Sequence, residues 1–289
     1  PLIVSVTGAC ENTKTLFTVD WYPDPETGEP RKAFLAQSDQ LYIESLTQVF
    51  GRVACEIQSF RKEEKADSRR LAQFTLLELE MLGDLYQLIT HVGNIVTEAS
   101  RAVALNCTEE LRLLGRNPED LMDVKFVNIK YEEAIALLNK NGFADLKFGD
   151  DLGPKEENKL AELLGPVFVT HYDWEQKFWN MERNQEDPRV VNSADMILPK
   201  SGESAGMSGR EFLYELLQRN LEENPSIDRL VEQGMTREMF RWYLDLHKNN
   251  DVKPHSGTGL GMARIAQFIM GKDDIRECVP FLINRDNLL

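Results

Sequence analysis

The chain has 289 residues, 42% hydrophobic and 28% charged, enough to bury a sizeable core in one large domain or two small ones. No apolar run approaches the roughly 18 residues that a membrane-crossing helix needs, and no basic segment leads into an apolar core as a secretory signal would, so a soluble, cytoplasmic protein without a membrane partner is expected. A net charge of -15 argues against broad, nonspecific binding to nucleic acid, although a local basic groove stays possible on composition alone.

The chain opens on Pro1 rather than methionine, directly in the apolar run "PLIVSV", and the natural polypeptide is expected to extend upstream. "LIVSV", "TLFTVD" and "AFLAQ" read as strands, with "YPDPETGEP" as an exposed hairpin loop between Trp21 and Arg31. A helix is expected from near Ser38, with Leu41, Ser45 and Val49 on one face and Gly51 at its end. "RVACEIQSF" and "LAQFTLLELE" then form an antiparallel pair bracketing the charged loop after Phe60. Residues 81 to 106 read as a helix from the spacing of Leu82, Leu85, Leu88, Ile89, Val92 and Val96.

From about 107 to 165 the pattern mixes short helices such as "YEEAIALLNKNG" with polar loops, and is taken as an inserted subregion packed on the main sheet. Strands return at "PVFVTHY" and "NSADMILP", and helices at "REFLYELLQRNLEEN" and "REMFRWYLDLHKNN". "SGTGLGMARIAQFIMG" is a glycine-rich entry into an apolar helix. Cys10, Cys55, Cys107 and Cys278 are too scattered for a structural zinc site and read as free thiols. Trp174 and Trp179 read as core, His91 as packing on a helix, and His247 as a surface helix terminus; His255, beside the glycine run, stays open.

Gly257, Gly259 and Gly261, followed by Arg264, match neither the phosphate loop nor the dinucleotide fingerprint, and alone read as a tight strand-to-helix turn. The charged hairpin adds Arg61, able to hold a phosphate bidentately, Glu63, able to accept from an exocyclic amine, and Phe74, an aromatic face for a purine. With Arg264 on the other side of a flat base, these make an ATP site.

"FRKEEKADSRRLAQFTLLELE" resembles motif 2, and "HSGTGLGMARIAQFIMG" motif 3, of the class II aminoacyl-tRNA synthetases, within them the aspartyl and asparaginyl branch. "CENTKTLF", "AQSDQLYIE", "DMILPKSGESAGMSGR" and "DDIRECVPF" match in order and spacing, so the resemblance covers nearly the whole chain. It implies an α+β catalytic domain over residues 1–289, an antiparallel sheet flanked by helices with a helical insertion, in an ATP-dependent ligase that works as a homodimer. The upstream part of motif 1 and an anticodon-binding barrel would lie outside this sequence.

By resemblance, Arg61 binds the α-phosphate, Glu63 and Phe74 hold adenine, and Arg264 clamps the nucleotide from the other side, with Arg61 and Arg264 as the catalytic pair. Arg69, Arg70, Glu203 and Gly261 complete the ATP site. Asp195 and Glu203, otherwise solvated surface acids, fall where the family holds Mg2+ against the phosphates. Glu11, Ser38 and Gln40 fall where it grips the amino acid's ammonium group; Ser38 and Gln40 also suit a helix cap and first turn.

Ile43 stands where aspartyl enzymes carry a lysine for the substrate carboxylate. Glu44 resembles the asparaginyl pattern, in which a carboxylate accepts from the side-chain amide, and Arg210 would donate to the amide oxygen. The expected chemistry is activation of asparagine, or an amide-bearing relative, to an aminoacyl-adenylate, with tRNA as acceptor; the alternative is an amide-forming ligase such as an asparagine synthetase. Departures from the family pattern are Arg70 for a histidine, Gln73 and Ala263 for acidic residues, and "PFLIN" for the usual "PFPR"-like ending.

Overall fold

The computed structural model describes residues 1–4, 13–232 and 235–288. Glu11 and Cys10 lie outside the described residues. Strands β1 (Ile3–Val4), β2 (Thr18–Trp21) and β3 (Arg31–Leu35) form a small antiparallel sheet with β3 in the middle. In the β2–β3 loop the Asp24 carboxylate accepts from the backbone N–H groups of Glu26 and Thr27, both at 3.0 Å, the local bonding that makes Asp a turn residue.

Helix α1 (Gln40–Phe50) ends at Gly51, whose φ of +77° suits glycine. Its buried residues are Leu41, Ile43, Glu44 and Thr47, so the inward face is rotated from the expected one, and Val49 is 75% exposed. The acidic Glu44 hides this face from a hydrophobicity pattern. Strands β4 (Arg52–Phe60) and β5 (Gln73–Leu82) pair antiparallel as the sequence suggests. Leu82 therefore closes a strand rather than opening the next helix. Helix α2 (Leu85–Asn106) starts at Asp84, whose side chain accepts from the Gln87 N–H while Gln87 returns a bond to the Asp84 N–H, a capping box.

Next come α3 (Thr108–Leu113), β6 (Val127–Lys130), α4 (Tyr131–Lys140), α5 (Pro154–Leu164), β7 (Val167–Thr170), β8 (Ser193–Leu198) and β9 (Gly202–Gly209). Helices α6 (Tyr214–Glu223), α7 (Pro225–Glu232) and α8 (Arg241–Asn249), strand β10 (His255–Gly261) and helix α9 (Met262–Met270) complete the fold. The large sheet runs β4-β5-β10-β9-β8-β7-β6 and is antiparallel except where β6 meets β7. Two of its central strands, β9 and β10, are rich in Gly and Ser and carry no strand signature. Pairing on both sides supplies what their own propensity lacks.

One sheet face is dry. Leu88, Ile89, Val92 and Val96 of α2 and Ile265, Phe268 and Ile269 of α9 pack on Ala194, Met196, Leu198, Ala205, Met207 and Leu260. Strand alternation then sends Asp195 and Ile197 of β8, and Phe74, Leu76, Glu78 and Glu80 of β5, to the opposite face. Two helical clusters stand over that second face. The α4 and α5 cluster packs on Val167, Val169, Tyr172 and Ile197, and the α6–α8 cluster gathers Leu41, Phe178 and Trp179. The region from 107 to 165 thus supplies a sheet edge strand, part of the α2 core and one wall of the space between the clusters.

Candidate active site

Between the clusters lies a cleft of about 920 Å³ floored by β5, β10, β9 and β8. Gly259 and Gly261 of β10 form part of that floor, and the turn into α9 comes only at Gly261. A Cβ at Gly257 would overlap the Glu80 carboxylate, and one at Gly259 would stand 2.9 Å from the Gln40 amide nitrogen. Side chains from neighbouring elements therefore rest directly on the β10 backbone.

At the outer end the hairpin contributes Arg61, Glu63, Arg69, Arg70 and Phe74, and α9 contributes Arg264. The Arg61 guanidinium stands 5.6 Å from the centroid of the Phe74 ring, within cation–π range. Arg264 donates to the backbone carbonyls of Arg69, at 2.9 Å, and Ser201. Burial first, then the like charges of Arg69 and Arg61, pull its pKa below the ordinary arginine value. Guanidinium groups held together against mutual repulsion make an anion site. Arg69 is anchored at 2.5 Å by Glu157, from α5, and Arg70 by Asp67, with Glu63 at 3.4 Å.

Asp195 and Glu203 meet on the inner floor. In β9 and β8, Met196 pairs with Ala205 but Ile197 pairs with Glu203, so Ser204 is an extra residue, a β-bulge. Without the bulge, Glu203 would share the dry face with Ala205; with it, Glu203 joins Asp195 in the cleft. Both carboxylates approach one point above Gly206, where an added Cβ would lie 3.5 Å from Glu203 and 3.6 Å from Asp195. The Asp195 charge, followed by burial, pushes Glu203 up to about 7.

That shift has a sign. With its folded pKa above the ordinary 4.5, Glu203 contributes stability while protonated, in full below 4.5, and loses it as pH rises through about 7. Glu203→Gln is therefore expected to raise the melting temperature at pH 8 relative to the wild type and to leave it unchanged near pH 4.5. The gain, screened because the carboxylate faces the open cleft, is about 1 kcal/mol. An equal difference at both pH values would show that no such repulsion exists.

The deep end is built around Arg210, which is 4% exposed. Its Nε and Nη2 donate to Glu80 Oε1 at 3.1 and 2.6 Å, Nη2 to Gln40 Oε1 at 2.8 Å and Nη1 to Ser208 Oγ at 3.0 Å. Burial lifts Glu80 to about 7 against the pull of Arg210. Ser38 Oγ donates to Glu78 Oε1 at 2.6 Å and accepts from the Gln40 N–H at 3.1 Å, so it both binds the acid and ties down the first turn of α1. Asp39 N–H donates to the other Glu78 oxygen at 2.8 Å.

Glu44 does not line the cleft. It lies behind Arg210, 3.5 Å from its Nε, and accepts from Tyr243, from Asn180 Nδ2 at 3.4 Å and from His255 Nε2 at 3.2 Å. Burial raises its pKa, but Arg210 and His255 outweigh that and hold it low. Its oxygens face protein donors, so Glu44 reaches the cleft through Arg210 and Asn180. Ile43 is also buried away from the cleft. His247 is buried, with Nδ1 2.9 Å from the Tyr243 carbonyl, rather than on the surface. Trp174 and Trp179 are core, as expected.

The cleft thus gathers the arginines, Glu63, Phe74, Gly261, Ser38, Gln40, Asp195 and Glu203. Glu78 and Glu80 went unassigned in the sequence, although "LELE" on a strand announces two acids on one face. Glu157 and Lys177 carry no such signal, because their partners Arg69 and Asp195 are remote in sequence.

A family model for tRNA synthetases class II (D, K and N) matches residues 1–285. The chain is 37% identical over 278 residues to an asparagine–tRNA ligase of Pelotomaculum thermopropionicum, covering 94% of this chain and 60% of that one. It superposes with a TM-score of 0.86 and 32% identity on an asparaginyl-tRNA synthetase from Pyrococcus horikoshii complexed with asparaginyl-adenylate, covering all of this chain and 63% of that one. An Entamoeba histolytica asparaginyl-tRNA synthetase, also in complex with asparaginyl-adenylate, gives 0.83 at 25% identity and covers 100% of this chain and 62% of that one. The chain spans about three-fifths of the length of these relatives. With the antiparallel sheet, the arginine-lined cleft and a match along almost its whole length, the chain belongs to the class II tRNA synthetases of the D, K and N group.

Proposed function

We propose that this chain is the catalytic region of an ATP-dependent ligase that activates asparagine as asparaginyl-adenylate and passes the asparaginyl group to tRNA. The observation that carries the choice of amino acid is the charge balance of the deep end. Arg210 reaches the cleft while facing Glu80 and Glu44, with Glu78 beside it, and His255 is paired with Glu44 behind it. A second substrate carboxylate there would meet a surplus of acids, whereas an amide brings no charge and can both donate and accept. Ile43, buried in α1, supplies no ammonium to reverse that balance.

In the proposed reaction a carboxylate oxygen of asparagine attacks the α-phosphorus of ATP. The bond to pyrophosphate breaks and its electron pair leaves with the pyrophosphate, forming the mixed anhydride. A hydroxyl of the terminal ribose of tRNA then attacks the activated carbonyl and releases AMP. Phe74 and Glu63 hold the adenine, and Arg61, Arg69, Arg70 and Arg264 meet the phosphates. Ser38, Gln40 and Glu78 line the end assigned to the amino acid. Glu11 is assigned to the ammonium group by resemblance alone. No covalent nucleophile is required, because positioning and fixed charge do the catalytic work.

Asp195 and Glu203 suit a hard divalent cation, since their carboxylate oxygens approach one point on the cleft floor. Mg2+ would supply positive charge there against the phosphate oxygens. Homodimerisation is also proposed: Val49 and Phe50 stand 75% and 72% exposed at the end of α1, next to β4 at the edge of the large sheet.

Exchange of labelled pyrophosphate into ATP, measured without tRNA, tests the reading. Exchange is expected with asparagine and to stay at background with aspartate or no amino acid. Exchange with aspartate alone would overturn the assignment of substrate.

A further inference from the structure

Asp195 already holds a cation of the chain's own. Lys177, between β7 and β8, donates from Nζ to both Asp195 oxygens, at 3.0 and 2.8 Å. The two side chains are only 18% and 11% exposed. The same Nζ lies 4.1 Å from the centroid of the Tyr172 ring, whose face attracts an ammonium. Carboxylate and ring make two adjacent seats for one charge, and both belong to the cleft wall.

We propose that Lys177 is the resident cation of the acid pair and competes with a divalent ion for Asp195, a proposal that rests on Asp195 and Glu203 being the pair that takes that ion. Asp195 and Glu203 approach one point, and the Asp195 carboxylate, only 11% exposed, needs a counter-charge close by. Lys177 provides it while the nucleotide site is empty. A divalent ion at the same carboxylate would meet the ammonium as a like charge at contact distance, so one of them has to yield. A lysine suits this role: its charge is a compact point on a flexible stem, and the Tyr172 face offers a place to retreat to. Free divalent ions are then held weakly, and firm retention waits for the added negative charge of the nucleotide phosphates.

The test is a Mn2+ titration of the whole chain followed by electron paramagnetic resonance, without nucleotide. Lys177→Met is expected to bind Mn2+ at least about tenfold more tightly than the wild type. Asp195→Asn is expected to lose the binding in either background. Lys177→Gln, a polar replacement, repeats the measurement should the methionine variant fold poorly. Equal affinity in the wild type and both Lys177 variants, with loss in Asp195→Asn, would overturn the competition while leaving the ion site standing. Absence of Asp195-dependent binding in every variant would remove the ion site and the competition together.

Discussion

Arg61→Ala is expected to lower asparagine-dependent pyrophosphate exchange by about 10²–10³-fold, the loss that follows removal of one preorganised charged donor from a transition state. The guanidinium is well placed for this role. It projects into the cleft beside Phe74, close enough to Arg264 and Glu203 to influence the ionisation of both, and among the described residues it makes no ion pair. Little holds it in the folded structure, so the substitution is expected to change stability by less than about 0.5 kcal/mol. Loss of exchange with an unchanged melting temperature separates a catalytic role from a structural one. Arg61→Lys keeps the charge without the fork, and is expected to recover only part of the rate. Exchange within threefold of the wild type in Arg61→Ala would remove Arg61 from the site.

At Arg210 the expected pattern is the reverse, with stability and binding falling together. Arg210→Met keeps most of the apolar stem but strips the charge from between Glu80 and Glu44, both about 1% exposed or less. Breaking a buried pair from one side costs about 3–5 kcal/mol, because the remaining charge has no solvent to turn to. Glu80, already lifted to about 7 by burial, would lose its compensating partner and be neutral over more of the pH range. Adding Glu80→Gln to Arg210→Met is therefore expected to restore part of the stability in denaturant unfolding. It should not restore asparagine affinity, since the proposed donor to the substrate amide is still missing. A single Arg210→Met variant with wild-type unfolding midpoint and wild-type KM for asparagine would refute both roles.

How legible this molecule was depended on the range over which each interaction acts. The β4–β5 hairpin could be read because its register is set locally, by two alternating strands around a charged loop. The start of α2 is hidden in the sequence because Leu82 continues the helical spacing, while Gly83 and the Asp84 capping box mark the break. Strand β9 carried a weak signal. Gly202, Gly206 and Gly209 give it little intrinsic preference, and its form is imposed by the β8 and β10 ladders. The inward face of α1 is not legible in the sequence because Glu44 has the character of a surface residue, and only the fold surrounds it with Arg210, Tyr243 and His255.

The sequence by itself determined the chemical alphabet of the cleft: arginines in the hairpin and after the glycine run, an aromatic on the strand, a pair of acids, and the family to which their order points. Those properties are local, or survive as ordered motifs along the chain. Only the tertiary structure decided which charges face one another. Glu157 anchors Arg69 across 88 positions, Glu80 meets Arg210 across 130, and a one-residue bulge at Ser204 turns Glu203 toward Asp195. The reason is that a carboxylate's role depends on its distance to a counter-charge and on the solvent between them, and both are fixed by packing between elements remote in sequence.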